Sequence, residues 1–226
     1  FNSTTDNNSN GYDGFTHIKK NILDVVDTDV FVHSWEIEKM GDINTLYNPK
    51  SSIFEGQVDF SSVINKNGLN TLKSPPRSPQ SVLSHLYSVD KSLNLAFESN
   101  TNYDIIIKAR FDLGQINRIT SPFNVECIQF DGYDLSKINM ANWPDDYMLN
   151  EGPPDMWFYS NFNNMKSFSN IYDSIEQYMT LETEFSNSIS QRLGIHNISN
   201  SSVLYTKFFQ DNNMWNDRNV LNCKKN

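Results

Sequence analysis

Tyr103-Asp104-Ile105-Ile106-Ile107-Lys108-Ala109-Arg110-Phe111-Asp112-Leu113-Gly114 is the stretch on which the fold turns. Three consecutive isoleucines, reached through the polar turn Asn100 to Asp104, predict a buried strand at Ile105 to Ile107. Side chains alternate across a strand, so Ile105, Ile107, Ala109 and Phe111 share one face, and Ile106, Lys108, Arg110 and Asp112 the other. The second face becomes charged only towards its C-terminal end. In open α/β sheets ligands bind beyond the carboxyl ends of the strands, where these charges fall. A carboxylate such as Asp112 suits Mg²⁺ or Mn²⁺, hard ions that take oxygen ligands and bridge phosphates. Lys108 and Arg110 suit phosphate neutralisation, Arg110 through its bidentate fork. The same pattern also describes an edge strand whose outer face is solvated, with Arg110 and Asp112 as a surface ion pair. Both readings stand at this point.

Upstream, Asp29-Val30-Phe31-Val32-His33-Ser34-Trp35-Glu36 predicts a second buried strand at Val30 to Val32 that ends in polar and aromatic residues. Trp35 is suited to stacking on a base and Ser34 to bonding a ribose. The alternative is that Trp35 caps the core and His33 satisfies a backbone group. Before this strand, Phe15, Ile18, Ile22 and Val26 recur at helical spacing, and the polar Phe1 to Gly14 reads as a loop or arm. After it, residues 36–70 are mixed, with a strand expected around Ile53-Phe54. Ser78-Pro79 marks a helix start, and Val82, Leu86, Val89, Leu93, Ala96 and Phe97 form the apolar face of the helix that follows.

Downstream, Val125 to Phe130 predicts a further strand, and residues 131–155 form a long loop with Gly132, Pro144, Gly152, Pro153 and Pro154. The loop delivers Asp155 to the aromatic cluster Trp157-Phe158-Tyr159. A carboxylate beside aromatic faces suits sugar recognition, and the same placement also suits an N-cap at the start of a helix. Ile171, Ile175, Tyr178 and Met179 predict one helix, and Phe185, Ile189 and Leu193 another, closed by Gly194. A strand is expected at Val203 to Tyr205. Helices alternating with strands predict a single α/β domain over 1–226, three layers deep, with a mainly parallel central sheet.

Composition bounds the function. The 226 residues carry 18 Lys+Arg against 27 Asp+Glu, a net charge of −9 that repels phosphate backbones and argues against nucleic acid as the main partner. An aromatic share of 13% argues for a packed core despite the 31 asparagines. No apolar run is long enough to span a membrane and no leader is visible, so a cytoplasmic location is expected. Two cysteines, Cys127 and Cys223, make no disulfide framework. The Walker A loop, the Gly-x-Gly-x-x-Gly turn, zinc-spaced Cys/His sets and the Gly-x-Ser-x-Gly elbow are all missing.

Taken in order, several segments resemble a family of GT-A-fold glycosyltransferases found in bacteria, phages and large DNA viruses. They are Ile18 to Leu23 leading into Asp29 to Trp35, Leu46-Tyr47-Asn48-Pro49-Lys50, Leu86-Tyr87-Ser88, Tyr103 to Leu113, and Pro154-Asp155-Met156-Trp157-Phe158-Tyr159-Ser160-Asn161. The similarity spans residues 15–195. It implies a Rossmann-like domain that binds a nucleotide sugar, often through a divalent metal held by an Asp-x-Asp motif. Here that position reads Arg110-Phe111-Asp112, so Asp112 is the metal ligand the resemblance leaves, for Mn²⁺ or Mg²⁺. It further implies His33, Ser34 and Trp35 on the nucleotide, Lys108 and Arg110 on its diphosphate, and Asp155 as the base or acceptor-positioning acid. The partners implied are a nucleotide-sugar donor, of the UDP type, and a glycan or glycoconjugate acceptor. Such domains open with an apolar strand and a nucleotide-binding loop, and the first residues here resemble the end of that loop. A non-catalytic glycan- or nucleotide-binding module derived from such an enzyme is the alternative reading.

Overall fold

A computed structural model describes residues 9–66, 79–113, 125–126, 128, 130, 132–141, 156–175, 205, 208–215 and 220–221. Helix α1 (Ser9–Ile18) runs into a π-helical turn at Lys19–Leu23. The helix thus begins at Ser9 rather than at Phe15, and residues 9–14 are helical instead of a loop or arm. Gly14 shows why the polar end is drawn in. Its Cα lies so close to the exit of the 103–114 segment that a β-carbon there would overlap the Phe111 carbonyl oxygen and press on that of Leu113. Only glycine permits so close an approach of helix and backbone.

Strand β1 (Phe31–Ser34) follows, then helix α2 (Met40–Tyr47) and strand β2 (Ser51–Phe54). β1 and β2 pair in parallel, Phe31 opposite Ser51 through Ser34 opposite Phe54, so β1-α2-β2 is a βαβ unit. Asn48 closes α2 in the left-handed region at φ 43°, a conformation that asparagine tolerates, and its N–H donates to the Asn44 carbonyl. A short helix α3 (Ser61–Lys66) precedes α4 (Pro79–Glu98), which buries Val82, Leu86, Val89, Leu93 and Ala96 along the face the sequence predicts.

The second sheet is built from β3 (Ile106–Ala109), β4 (Asn139–Ala141), β5 (Trp157–Ser160) and β6 (Val220–Leu221), in the order β3-β5-β4-β6. β5 runs antiparallel to both β3 and β4, and β6 lies parallel to β4. The architecture is therefore mixed α/β, with one two-stranded parallel sheet and one largely antiparallel sheet. β1 and β3, expected in a common parallel sheet, belong to different sheets.

β5 explains the antiparallel half. Trp157, Phe158, Tyr159 and Ser160 are all buried, and aromatic residues suit a strand covered on both faces. The aromatic cluster to which the long loop leads is thus a central strand and not the approach to a helix. The helix after it, α5 (Phe162–Ser169), is capped by Asn161, whose side chain accepts from the Asn164 N–H at 2.9 Å. Val125 to Phe130, read as a strand, contains a turn in which the Ile128 N–H donates to the Val125 carbonyl at 3.0 Å. The loop 131–155 contains β4, and Tyr205, expected in a strand, is helical. Ile171 and Ile175 are buried as a helical face would require, although residues 170–174 form turns. Tyr178, Met179, Phe185, Ile189, Leu193, Gly194 and residues 203–204 lie outside the described residues.

Two apolar clusters sandwich the strands. One gathers α4, α5, Ile106, Met140, Phe158, Tyr205 and Phe209; the other gathers Ile18, Ile22, Val32, Ile43, Trp157 and Tyr159. Replacing Gly14 with alanine forces helix and backbone apart, and we expect a loss of stability on the order of 1–3 kcal/mol, the scale of overpacking. Urea unfolding of the variant checks this; an unchanged midpoint would mean that α1 is not held against Phe111.

Candidate functional site

A cavity of about 680 Å³ lies between β1 and β3 and takes in His33, Lys108, Arg110 and Asp112. One wall of its amino-terminal end is organised by Asp29. The carboxylate accepts from Lys50 Nζ at 2.6 Å and from the Tyr103 hydroxyl at 2.7 Å, and Lys50 Nζ also reaches Thr101 Oγ1 at 3.3 Å. Asp29, Lys50 and Tyr103 stand just before β1, β2 and β3, so the three strands start on one edge. Lys50 first and Tyr103 second hold the Asp29 carboxyl below the ordinary carboxylate range.

His33 occupies the wall on the α4 side. Its side chain is inaccessible, with Nδ1 2.8 Å from Ser88 Oγ and Nε2 3.0 Å from Glu55 Oε1. Burial lowers the His33 pKa, partly offset by Glu55, while the contact with His33 lowers that of Glu55. A neutral imidazole beside an ionised Glu55 must carry its proton on Nε2, which leaves Nδ1 to accept from Ser88. Both ring nitrogens are therefore engaged within the protein. Trp35 stacks on Tyr87 at 5.3 Å between centroids and meets the His33 ring edge-on at 4.6 Å. The Ser34 hydroxyl accepts from the Glu36 N–H at 3.1 Å. Ser34 and Trp35 do not line the cavity. His33 is thus satisfied by two side chains and not by the backbone group that the sequence offered as its alternative partner.

On the β3 side, the face expected to carry accessible charge starts buried. Ile106 is 7% and Lys108 6% exposed, whereas Ala109 on the other face is exposed. The Lys108 ammonium lies 5.4 Å from the centre of the Phe158 ring, within range of a cation–π attraction. Arg110 and Asp112 are paired through two hydrogen bonds, Nε to Oδ1 at 2.8 Å and Nη2 to Oδ2 at 2.6 Å. Both are near 30% exposed, so this fork is worth less than about 1 kcal/mol to the fold. Asp112 offers its carboxylate already engaged. Among the described residues no three His, Cys, Asp or Glu side chains lie together as a metal site would need. Of the residues expected to hold a metal, the described one is Asp112, and its carboxylate is bonded to Arg110. Asp155 lies outside the described residues.

The groups that sequence spacing did not expose are Glu55 and Ser88, which contact His33 from 22 and 55 residues away, and the Asp29–Lys50–Tyr103 knot. No local pattern marks such pairs. No protein-family model, curated protein or solved structure matches the chain. Among the described residues no helix is long and apolar enough to cross a membrane.

The buried neutral His33 makes stability fall with acid. Its folded pKa lies below the unfolded value near 6.5, so the unfolded chain takes up the proton first as pH falls through that value. We expect the urea midpoint to drop between about pH 7.5 and 5.5. His33→Gln should be less stable at neutral pH and should show a flatter dependence over this range. Equal slopes in the two proteins would place the titration elsewhere.

Proposed function

We propose that the chain is a glycosyltransferase that moves a sugar from a nucleotide-sugar donor, of the UDP type, to a hydroxyl of a glycan or glycoconjugate. The observation that carries this reading is the meeting of His33, Lys108, Arg110 and Asp112 on one cavity running along β1 and β3. A diphosphate at the Arg110 end meets a guanidinium fork suited to paired phosphate oxygens. The reaction needs charge stabilisation on the leaving diphosphate, the task assigned to Arg110 and Lys108. Trp35, Tyr87 and Glu55, grouped beyond β1, supply aromatic faces and a carboxylate of the kind sugars pack and bond against. The proposal also reads the two sheets as parts of one three-layer, Rossmann-like and mainly parallel sheet. The β1-α2-β2 unit and the apolar clusters on both sides of the strands support that reading.

Mn²⁺ or Mg²⁺ enters the proposal as a competitor for Asp112. A divalent ion would draw that carboxylate away from Arg110 and would supply positive charge at the diphosphate. Without it, the two side chains must part for Arg110 to meet phosphate. Asp112→Asn separates the two cases. Under metal dependence, donor binding weakens by about tenfold or more and chelation has the same effect, the scale of losing one charged contact. If arginine acts alone, the substitution weakens the hold of residue 112 on the guanidinium and donor binding tightens. Thermal shifts with UDP-sugars, with and without Mn²⁺, read both cases, since ligand binding to the native state raises stability. No shift with any nucleotide sugar would defeat the donor site.

Asp155 is assigned as the base that activates the acceptor hydroxyl. Asp155→Asn should leave donor affinity and melting temperature unchanged and reduce transfer by ~10²-fold or more, the scale of general-base contributions. The engagement of Arg110 by Asp112 and of Lys108 by Phe158 favours a second reading, a glycan- or nucleotide-binding module without catalysis. A parent protein that binds a donor but transfers to no acceptor would establish the module instead.

A further inference from the structure

His33 joins three elements into one hydrogen-bonded chain. Ser88 Oγ, on α4, lies 2.8 Å from Nδ1, and Glu55 Oε1, in the residue after β2, lies 3.0 Å from Nε2. The parallel pairing of β1 and β2 prepares the second contact. Glu55 N–H donates to the Ser34 carbonyl at 3.2 Å and extends the ladder one step past Phe54, which keeps Glu55 beside the end of β1. The packing of α4 on β1 prepares the first. The Tyr87 hydroxyl is a further partner of Glu55, and the rings of Trp35 and Tyr87 meet that of His33 edge-on at 4.6 and 5.8 Å. The imidazole is therefore held in one orientation and one tautomer, its proton towards Glu55 and its lone pair towards the Ser88 hydroxyl.

A serine bonded to a neutral imidazole that a carboxylate orients is the arrangement that turns a hydroxyl into a nucleophile. Here Nδ1 faces the serine and Nε2 the acid, the reverse of the usual serine hydrolases. Either ring nitrogen can take a proton while the other holds one, so the exchange leaves the chemistry intact. Such sets are recognised by geometry and not by sequence position, so the missing Gly-x-Ser-x-Gly elbow does not count against a serine on a helix. Ser88 is half-buried and lines the cavity of about 680 Å³, among walls that include Val32, Val89, Leu93 and Ile106. Apolar walls of this kind suit an aliphatic chain, and Lys108 and Arg110 bring positive charge to the same cavity.

We propose that Ser88, His33 and Glu55 act as nucleophile, base and orienting acid in the cleavage of an ester with a short aliphatic acyl group. Ser88 Oγ attacks the acyl carbon as its proton passes to His33 Nδ1, and Glu55 balances the imidazolium. The bond from the acyl carbon to the alcohol oxygen breaks, Nδ1 returns the proton to that oxygen, and the alcohol leaves. Water then attacks the Ser88 ester and gives a proton to Nδ1. The bond from Oγ to the acyl carbon breaks, Oγ recovers the proton, and a carboxylic acid is released. Negative charge on the carbonyl oxygen in each step develops in a cavity whose wall carries Lys108 and Arg110. The proposal needs no nucleotide, no metal and no Asp155, so it goes beyond the transferase reading and stands or falls apart from it.

A biotin-tagged fluorophosphonate, added to the 226-residue chain without nucleotide, tests it. Its phosphorus is attacked as the acyl carbon would be and fluoride leaves, so peptide mapping should find one tag per chain, on Ser88. The labelling rate should be level above about pH 6.5 and fall below it, as the imidazole takes up a proton. His33→Gln should slow labelling by about 100-fold or more and Glu55→Gln by about tenfold or more, each measured where its urea transition shows it folded. The parent chain should also cleave p-nitrophenyl butyrate, at a rate that Ser88→Ala lowers by about 100-fold or more. A parent chain that takes no tag, or takes it on another residue, overturns the proposal without recourse to any variant. Labelling of Ser88 that His33→Gln leaves unchanged overturns it as well, since Ser88 would then be an ordinary accessible hydroxyl.

Discussion

The structure depends on the alternation of β5. Four consecutive residues, Trp157 to Ser160, are buried, and successive side chains must point to opposite faces. Phe158 enters the cluster with Phe168, Tyr205 and Phe209, its ring 4.9 Å from that of Phe168 and 5.6 Å from each of the others. Trp157 and Tyr159 enter the opposite cluster, their rings nearly parallel at an interplanar angle of 19°. A strand of this kind cannot lie at a surface. It needs a neighbour on each edge and a layer on each face, and β3, β4 and the two clusters supply them. Ser160, the one polar member, sends its hydroxyl to the carbonyls of Leu135 and Lys137 at 2.9 and 2.8 Å, so its burial leaves nothing unpaired.

That demand shapes the candidate site. Ile106 and Lys108 lie on the face of β3 that shares its cluster with Phe158, which is why a lysine near the strand's end is buried over an aromatic ring. The charge becomes accessible only past the strand, at Arg110 and Asp112. α4 plays the complementary part. It packs against β1 and β2 and also against α5, so one helix spans both sheets and fixes the distance between them. His33 is tied to this helix through Ser88, and Asp29 ties the strand starts at the opposite end. The position of the cavity follows from these two attachments.

Local pattern made much of this legible. The helix over 79–98, the strands at β1, β2 and β3, and the burial of Val82, Leu86, Val89 and Leu93 follow from period and β-branching within a few residues. What escaped depended on distant partners. The direction of β5 is set by pairing with Ile106 to Ala109, some fifty residues earlier, and its aromatic run is equally compatible with a helix when read alone. The polar stretch before Phe15 becomes helical because Gly14 can approach Phe111, a contact that no window of sequence contains. The candidate residues divide in the same way. Arg110, Asp112, Lys108 and His33 do share a cavity, as their places at strand ends suggested. The pairing of Arg110 with Asp112 was one of the two readings the sequence allowed, whereas the engagement of the His33 ring by Glu55 and Ser88 was not readable.

β6 adds a consequence for how the molecule comes into being. Met140 pairs with Val220, so the outer edge of β4 is covered by residues near the end of the sequence, whereas β4 and β5 are joined within a short span. During synthesis, at about 5–20 residues per second, the roughly 60 residues between β5 and β6 take on the order of 3–12 seconds to appear. Through that interval the nascent sheet carries an open edge along β4 at Met140, the kind of edge on which chains aggregate. The β1-α2-β2 unit has no such delay, because its two strands lie within 24 residues of one another, from Phe31 to Phe54. The parallel half therefore has both of its strands on the chain well before β6, which covers the outer edge of β4, has been synthesised.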